Sequence, residues 1–244
     1  MLREDVLLKI EDLHVHFKGR EGVVTALRGV DLEIFKGETL GLVGESGCGK
    51  SVMSQSILRI IPKPGEIVKG QILLRQLLPG GKEEIVEITR LKDKGRQIRE
   101  IRRHDISIIF QEPMTALSPI HTIGAQITEA IKLRWQVTEK EAKEQAIEVL
   151  KRVEIPKPHL WIDSYTFQLS GGMRQRAMMA IALASRPSLL IADEPTTAVD
   201  VTIQAQILAL IKRLQKEMDM AVLIITHNLG VIAQLAHRIA VMYL

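Results

Sequence analysis

Thr39-Leu40-Gly41-Leu42-Val43-Gly44-Glu45-Ser46-Gly47-Cys48-Gly49-Lys50-Ser51 is the stretch whose reading decides the fold. An apolar run from Thr39 to Val43 has the length and character of a buried strand, and Gly44 and Gly49, five apart, are followed directly by Lys and Ser. That order is the phosphate-loop pattern in its strand-then-helix setting. Gly44, Gly47 and Gly49 let the backbone turn so that N–H groups from Glu45 to Ser51, those of Ser46 and Cys48 among them, point inward at the amino end of a helix starting near Lys50. Such a nest holds polyphosphate. Lys50 supplies a point charge for the terminal phosphates, and the Ser51 hydroxyl is a ligand of the kind magnesium requires.

Outward from the loop, continuous apolar segments at Leu40 to Val43, Ile106 to Phe110, Leu189 to Ala192 and Val222 to Thr226 alternate with helical patterns. A parallel sheet buried on both faces requires this alternation. Shorter alternating runs, Leu13 to Phe17 and Val30 to Ile34, with extended segments from Gln71 to Ile88 around Pro79-Gly80-Gly81, predict a small antiparallel β layer. From Thr122 to Val153 the apolar spacing becomes helical: Ile123, Ile127, Ala130 and Ile131, then Ala142, Ala146, Val149, Leu150 and Val153 after the capping signal Thr138-Glu139-Lys140-Glu141. The fold class expected is α/β, a P-loop NTPase core with a mostly parallel sheet, an antiparallel β subdomain and an inserted α-helical subdomain. We expect one domain over residues 1–244, with core and β layer in about 1–117 and 185–244 and the helical subdomain in about 118–184. No flexible linker separates them.

Composition narrows the class further. The 244 residues are 46% hydrophobic, enough for a sizeable core, and 33 basic against 29 acidic residues leave a net charge of only +4. This balance gives no support for nucleic-acid binding. Arg99, Arg102 and Arg103, alternating with Glu100 and Ile101, read as a solvated helix. The single cysteine, Cys48, lies in the phosphate loop and has no intrachain partner, which fits a reducing, cytosolic setting. The longest apolar run, Ala177 to Ala184, is too short to span a bilayer, and Met1-Leu2-Arg3-Glu4-Asp5 has no secretory character. Arg238 to Leu244 reads as a strand with no turn after it, as in a fragment of a longer chain.

Further chemistry gathers at the carboxyl ends of the apolar strands, where open α/β sheets bind ligands. Leu189 to Ala192 leads into Asp193, suited to a magnesium shell, and Glu194, suited to orient or deprotonate an attacking water. The turn at Pro195 is the structural alternative. His227 follows another apolar strand, as a phosphate contact or as a helix cap. Gln111 ends the Ile106 to Phe110 strand, either as a ligand to magnesium or water or as a turn residue.

Leu169-Ser170-Gly171-Gly172-Met173 completes the set, and with Gly44 to Ser51 the chain resembles the ATP-binding cassette (ABC) ATPases. Ile109 to Pro119 and Ala192 to Thr202 resemble the oligopeptide, dipeptide and nickel importer branch of that family. The resemblance covers nearly the whole chain. It implies ATP and Mg²⁺ as ligands, Gln111 as the mobile glutamine, Glu194 as the catalytic carboxylate, Asp200 as the residue coupling two sites, and His227 as the switch histidine. It also implies a head-to-tail dimer in which Lys50 of one subunit and Ser170 of its partner close on one ATP. Separate transmembrane permease subunits and, indirectly, an extracytoplasmic substrate-binding protein complete the expected assembly, at the cytoplasmic face of the membrane. Taken alone, Ser170, Gly171 and Gly172 are a helix cap with free N–H groups, a second phosphate-seeking helix end. Phe17 matches the family's adenine-stacking aromatic, although it shares strand parity with Leu13 and Val15, which suits a core role as well. His14 and His16 lack metal-site spacing, and Met173, Met178 and Met179 read as helix packing. Asn228, where the family has Asp, and Val199, where it has Leu, are modest departures.

The expected activity is ATP hydrolysis powering import of di- or oligopeptides. Import of nickel or another solute is the nearer alternative, since substrate choice lies with the permease and binding protein. A soluble ABC ATPase acting on nucleic acid is another class, but the interval from Ser51 to Ser170 has no sustained heptads for the coiled coil such proteins carry. A regulatory subunit that binds nucleotide without turnover is disfavoured by Lys50, Glu194 and His227 together.

Overall fold

A computed structural model of the chain describes residues 2–19, 22–78, 80–196 and 200–243, without the side chains of Met114 and Thr115. Pro79, the Thr197-Ala198-Val199 part of the acidic-strand motif and Leu244 lie outside the described residues, and so does the Val199 departure. The chain forms two compact units, Met1–Arg102 with Asp219–Leu244, and Arg103–Met218.

In the first unit, β1 (Val6–Gly19), β2 (Gly22–Phe35), β4 (Gly65–Leu77) and β5 (Glu83–Glu87) form an antiparallel sheet in the order β2-β1-β4-β5. This is the expected β layer. Its buried face carries Leu8, Ile10, Leu13, Val15, Ile72 and Leu74, all at most 1% exposed. The register slips between Ile10 and Leu13, where Asp12 has φ 47°, so the alternation read from sequence changes face at this bulge.

The same unit holds β3 (Thr39–Gly44), with β8 (Ala221–Ile225) and β9 (Arg238–Met242) parallel to it on either side. Thr39 pairs with Val222 and Leu40 with Arg238. Every residue of β8 is buried, and Leu40 and Leu42 of β3 are at most 1% exposed, which is why both strands read as unbroken apolar runs. The unit also holds α1 (Lys50–Ile57), α9 (Leu229–Leu235) and most of α2 (Arg96–His104). Arg102 departs from the solvated-helix expectation. Its guanidinium donates to the Leu58 and Arg59 carbonyls, each at 2.8 Å, and so serves the orphan acceptors at the carboxyl end of α1. Burial lowers its pKa from the usual guanidinium range.

The second unit contains the parallel pair β6 (Ile106–Ile109) and β7 (Leu189–Asp193), with Ile106 opposite Leu189. Its helices are α3 (Pro113–Ala116), α4 (Ile123–Arg134), α5 (Glu139–Arg152), α6 (Pro158–Trp161), α7 (Gly171–Ala184) and α8 (Val201–Met218). Ile123, Ile127 and Ile131 of α4, Ala142, Ala146 and Leu150 of α5, and Ala177, Met179 and Ala180 of α7 form their common core, each at most 1% exposed. The start of α5 is set by a capping box: Thr138 Oγ1 accepts the Glu141 N–H, and the Glu141 carboxylate accepts the Thr138 N–H at 2.8 Å. No helix among the described residues is long and apolar enough to cross a membrane.

Candidate functional site

In the first unit, β3 delivers the chain at Gly44 into a loop that turns at Gly47 (φ 87°) and Gly49 (φ 98°) before α1 begins. Both angles lie in the left-handed region open to glycine. Gly44 has a steric reason as well, since a Cβ there would lie 2.7 Å from Cys48 Sγ and run into the Met242 carbonyl. Around Gly47 nothing lies within 4 Å of a built Cβ, and Glu45, Ser46, Gly47 and Ser51 are exposed. The loop therefore packs on its Gly44, Cys48 and Gly49 side and presents Ser46 and Gly47 outward. No side chain caps α1, so its first N–H groups are available to an anion.

Lys50 is only 8% exposed, and its ammonium donates to the Gly44 and Glu45 carbonyls at 2.8 and 2.7 Å. The charge is thus held inside the curve of the loop by neutral acceptors. Phosphate oxygens are stronger acceptors for the same donors.

His227 lies two residues beyond Ile225 of β8, which pairs with Leu42, so it stands at the sheet end where the phosphate loop begins. The helix-cap alternative for His227 is not what the structure shows. Asn228 caps α9 by accepting the Gly230 N–H at 2.9 Å, and His227 is exposed. Asn and Asp are comparable caps, which accounts physically for the tolerance of Asn at this position. Phe17 is half-buried, with its ring over Gly65: a Cβ there would lie 2.6 Å from ring Cε1. Leu13 and Val15 are fully buried by contrast, whereas Phe17 is only partly so.

In the second unit, β7 ends at Asp193, and Glu194 follows with φ 46°. A left-handed glutamate is uncommon and points to a backbone held by its surroundings. Gln111, beyond β6, donates from Nε2 to Glu194 Oε2 at 3.0 Å. Two residues 83 apart in sequence, each singled out for hydrolysis, therefore touch. The donation leaves the Gln111 Oε1 oxygen for another partner.

Ser170 caps α7 by accepting the Met173 N–H, and Gly171 is exposed with open space around it. Gly172 packs on α8, where a Cβ would lie 3.2 Å from Ile203. This helix end opens on a cavity of about 480 Å³ that Arg176, Asp200 and Gln206 also line. Asp200 Oδ1 accepts the Thr202 and Ile203 N–H groups, each at 3.0 Å, so it caps α8. Arg176, 8% exposed, donates to the Val153 carbonyl and to Glu154, and holds the Glu154 carboxyl below its usual pKa.

Sequence reading missed Gln175. Its amide is 2% exposed and donates to the Pro195 carbonyl at 2.6 Å. The available signal was a lone amide on the helical stripe of Met178, Met179 and Ala182.

The family model for ABC transporters matches residues 27–197, and the chain belongs to that family. It is 50% identical over 99% of its length to the probable peptide ABC transporter ATP-binding protein y4tR of Sinorhizobium fredii, and covers 69% of that protein. Against the dipeptide transport ATP-binding protein DppD and the oligopeptide transport ATP-binding protein OppD of Bacillus subtilis it is 48% identical, over 97% and 100% of this chain and 68% and 65% of theirs. The chain thus spans about two thirds of the length of these relatives. Among solved structures, the dimeric ATP-binding cassette MJ0796 in a post-hydrolysis state, bound to ADP and Pi, superposes with a TM-score of 0.81 at 27% identity, covering 97% of this chain and 94% of that one. The fold is the α/β fold of an ABC ATPase cassette, and the chain is an ATP-binding cassette.

Proposed function

We propose that this chain is the ATP-hydrolysing subunit of an ABC importer for di- or oligopeptides, working as one of a pair. The observation that carries the reading is that one chain has two helix starts with the chemistry to hold an anion, the uncapped start of α1 behind Gly47 and the Ser170-capped start of α7, together with a paired Glu194 and Gln111. Peptide as the cargo is supported by what the relatives of Sinorhizobium and Bacillus are named for. A head-to-tail dimer is supported by the dimeric state of the MJ0796 cassette.

In this reading the loop N–H groups from Glu45 to Ser51 and the Lys50 ammonium bind the polyphosphate, Lys50 exchanging the Gly44 and Glu45 carbonyls for phosphate oxygens. Phe17 stacks on adenine. Glu194 orients a water and accepts its proton as the water oxygen bonds to the terminal phosphorus and the bond to the ADP oxygen breaks. Gln111 holds the Glu194 carboxylate, and His227 donates to the terminal phosphate. Ser170, Gly171 and Gly172 bind the phosphates of the partner's nucleotide, and Asp200 couples the two sites through the start of α8.

The donors fit magnesium, a hard cation: the exposed Ser51 hydroxyl, the Asp193 carboxylate and the Gln111 Oε1 are all oxygens. When bound, magnesium neutralises charge on the phosphate oxygens. Transmembrane permease subunits, met through Gln111 and the helical segment about 118–184, and a substrate-binding protein complete the machine at the membrane's cytoplasmic face.

Two measurements test this. Glu194→Gln should keep ATP binding and lower the hydrolysis rate at least about a hundredfold, the scale of lost general-base catalysis; rapid steady-state turnover by that variant removes Glu194 from its role. Co-purification from native membranes should bring down permease subunits and a peptide-binding protein. Recovery of DNA ends or ribosomes in their place would sink the importer reading.

A further inference from the structure

We infer that Gln175 is a positioning residue for hydrolysis, tying the helix that begins at the Ser170 cap to the turn that carries Glu194. The role rests on the hydrolysis reading above. Gln175 sits in the second turn of α7 and is 2% exposed among Met178, Met179 and Ala182. An amide buried there is tolerated only when it is hydrogen-bonded. Its Nε2 donates to the Pro195 carbonyl at 2.6 Å, twenty residues further along the chain.

The place of that carbonyl gives the bond its meaning. Pro195 follows Glu194 directly, and Glu194 is in the left-handed region at φ 46°. A glutamate stays in such a conformation when neighbouring contacts over-determine it. The Gln175 bond pins the chain one residue beyond Glu194, while Gln111 holds the carboxylate itself from Nε2 at 3.0 Å. Glu194 is therefore oriented from two directions, through its side chain and through its backbone.

α7 joins this support to the Ser170-Gly171-Gly172 helix end. Ser170 caps the helix, Gly172 packs on Ile203 in the first turn of α8, and Gln175 grips the Glu194 turn from the second turn of α7. A helix is stiff over so short a distance, so a phosphate seated on the Ser170 end and the Glu194 turn share one rigid support. Gln175 itself is buried away from the exposed Ser170 and Gly171, so its removal should leave nucleotide binding intact.

Gln175→Met keeps the side-chain length and removes the donor. In the purified full chain, kcat for ATP should fall about tenfold or more while the ATP Kd changes by less than about twofold, the loss expected when an interaction needed in the transition state is removed. Gln175→Glu, close in size but facing one acceptor with another, should show the same split and serves if the Met variant does not fold. A kcat within about twofold of the unaltered chain in either folded variant overturns the inference. So does a parallel loss of ATP binding and kcat, which marks a general support of the fold. The unaltered chain is the control: if it fails to hydrolyse ATP, the hydrolysis reading itself falls and takes this role with it, whereas active unaltered chain with active variants removes Gln175 alone.

Discussion

At the scale of single residues, Lys50 carries the sharpest expectation. Its ammonium is buried against two carbonyls of its own loop, and replacing it removes the only full positive charge within that curve of backbone among the described residues. Lys50→Ala should weaken ATP binding by about ten- to a hundredfold, on the scale of ~1.5–3 kcal/mol for hydrogen bonds to a charged group; titration calorimetry reads it, and unchanged affinity would contradict the assignment. Glu194 shows the same logic from the other sign of charge. Its backbone angle, its bond from Gln111 and the neighbouring hold of Gln175 on Pro195 all restrict where its carboxylate can go. Of these, the carboxylate at a strand's end was readable from Leu189 to Glu194 alone. The two hydrogen-bond restraints were not, because they join residues 83 and 20 positions apart in the chain.

At the scale of elements, helix ends organise the molecule. Thr138 and Glu141 start α5, Ser170 starts α7, Asp200 starts α8 and Asn228 starts α9. Thr138→Ala should lower stability by about 1 kcal/mol, seen as a lower Tm, because a cap to Ala leaves an N–H without its acceptor. The linkage from α5 to α7 titrates. Arg176, and after it Arg213, hold the Glu154 carboxyl below its usual pKa. A carboxyl lowered in the folded state contributes stability that is fully present above the unfolded pKa and is lost as pH falls through the folded value. Glu154→Gln should therefore unfold at lower denaturant than the unaltered chain near pH 7, with the two curves converging in acid. A difference that persists unchanged at low pH would mean that Glu154 acts by packing. The element boundaries of α5 and α7 were legible because caps are local signals, spaced three residues apart. Arg102 was not, since its partners at the end of α1 lie 43 and 44 residues away.

At the scale of the whole molecule, the prediction concerns assembly. If Ser170 to Gly172 serve a partner's nucleotide, Glu194→Gln chain should form a dimer in ATP, measured by light scattering on a sizing column, and be monomeric in ADP. A monomer in both would leave the second helix end without its proposed ligand. The amino-acid sequence by itself determined the phosphate loop, the Asp193-Glu194 strand end, the Ser170 signature and the alternation of apolar strands with helices. Each depends on contiguous spacing, where neighbours along the chain define the hydrogen bonds and the burial pattern. Only the tertiary structure decided that Gln111 meets Glu194, that Asn228 rather than His227 caps α9, that Asp200 caps α8, and that Gln175 holds the Glu194 turn. Side-chain amides and carboxylates have many available partners at comparable energy, and packing selects among them.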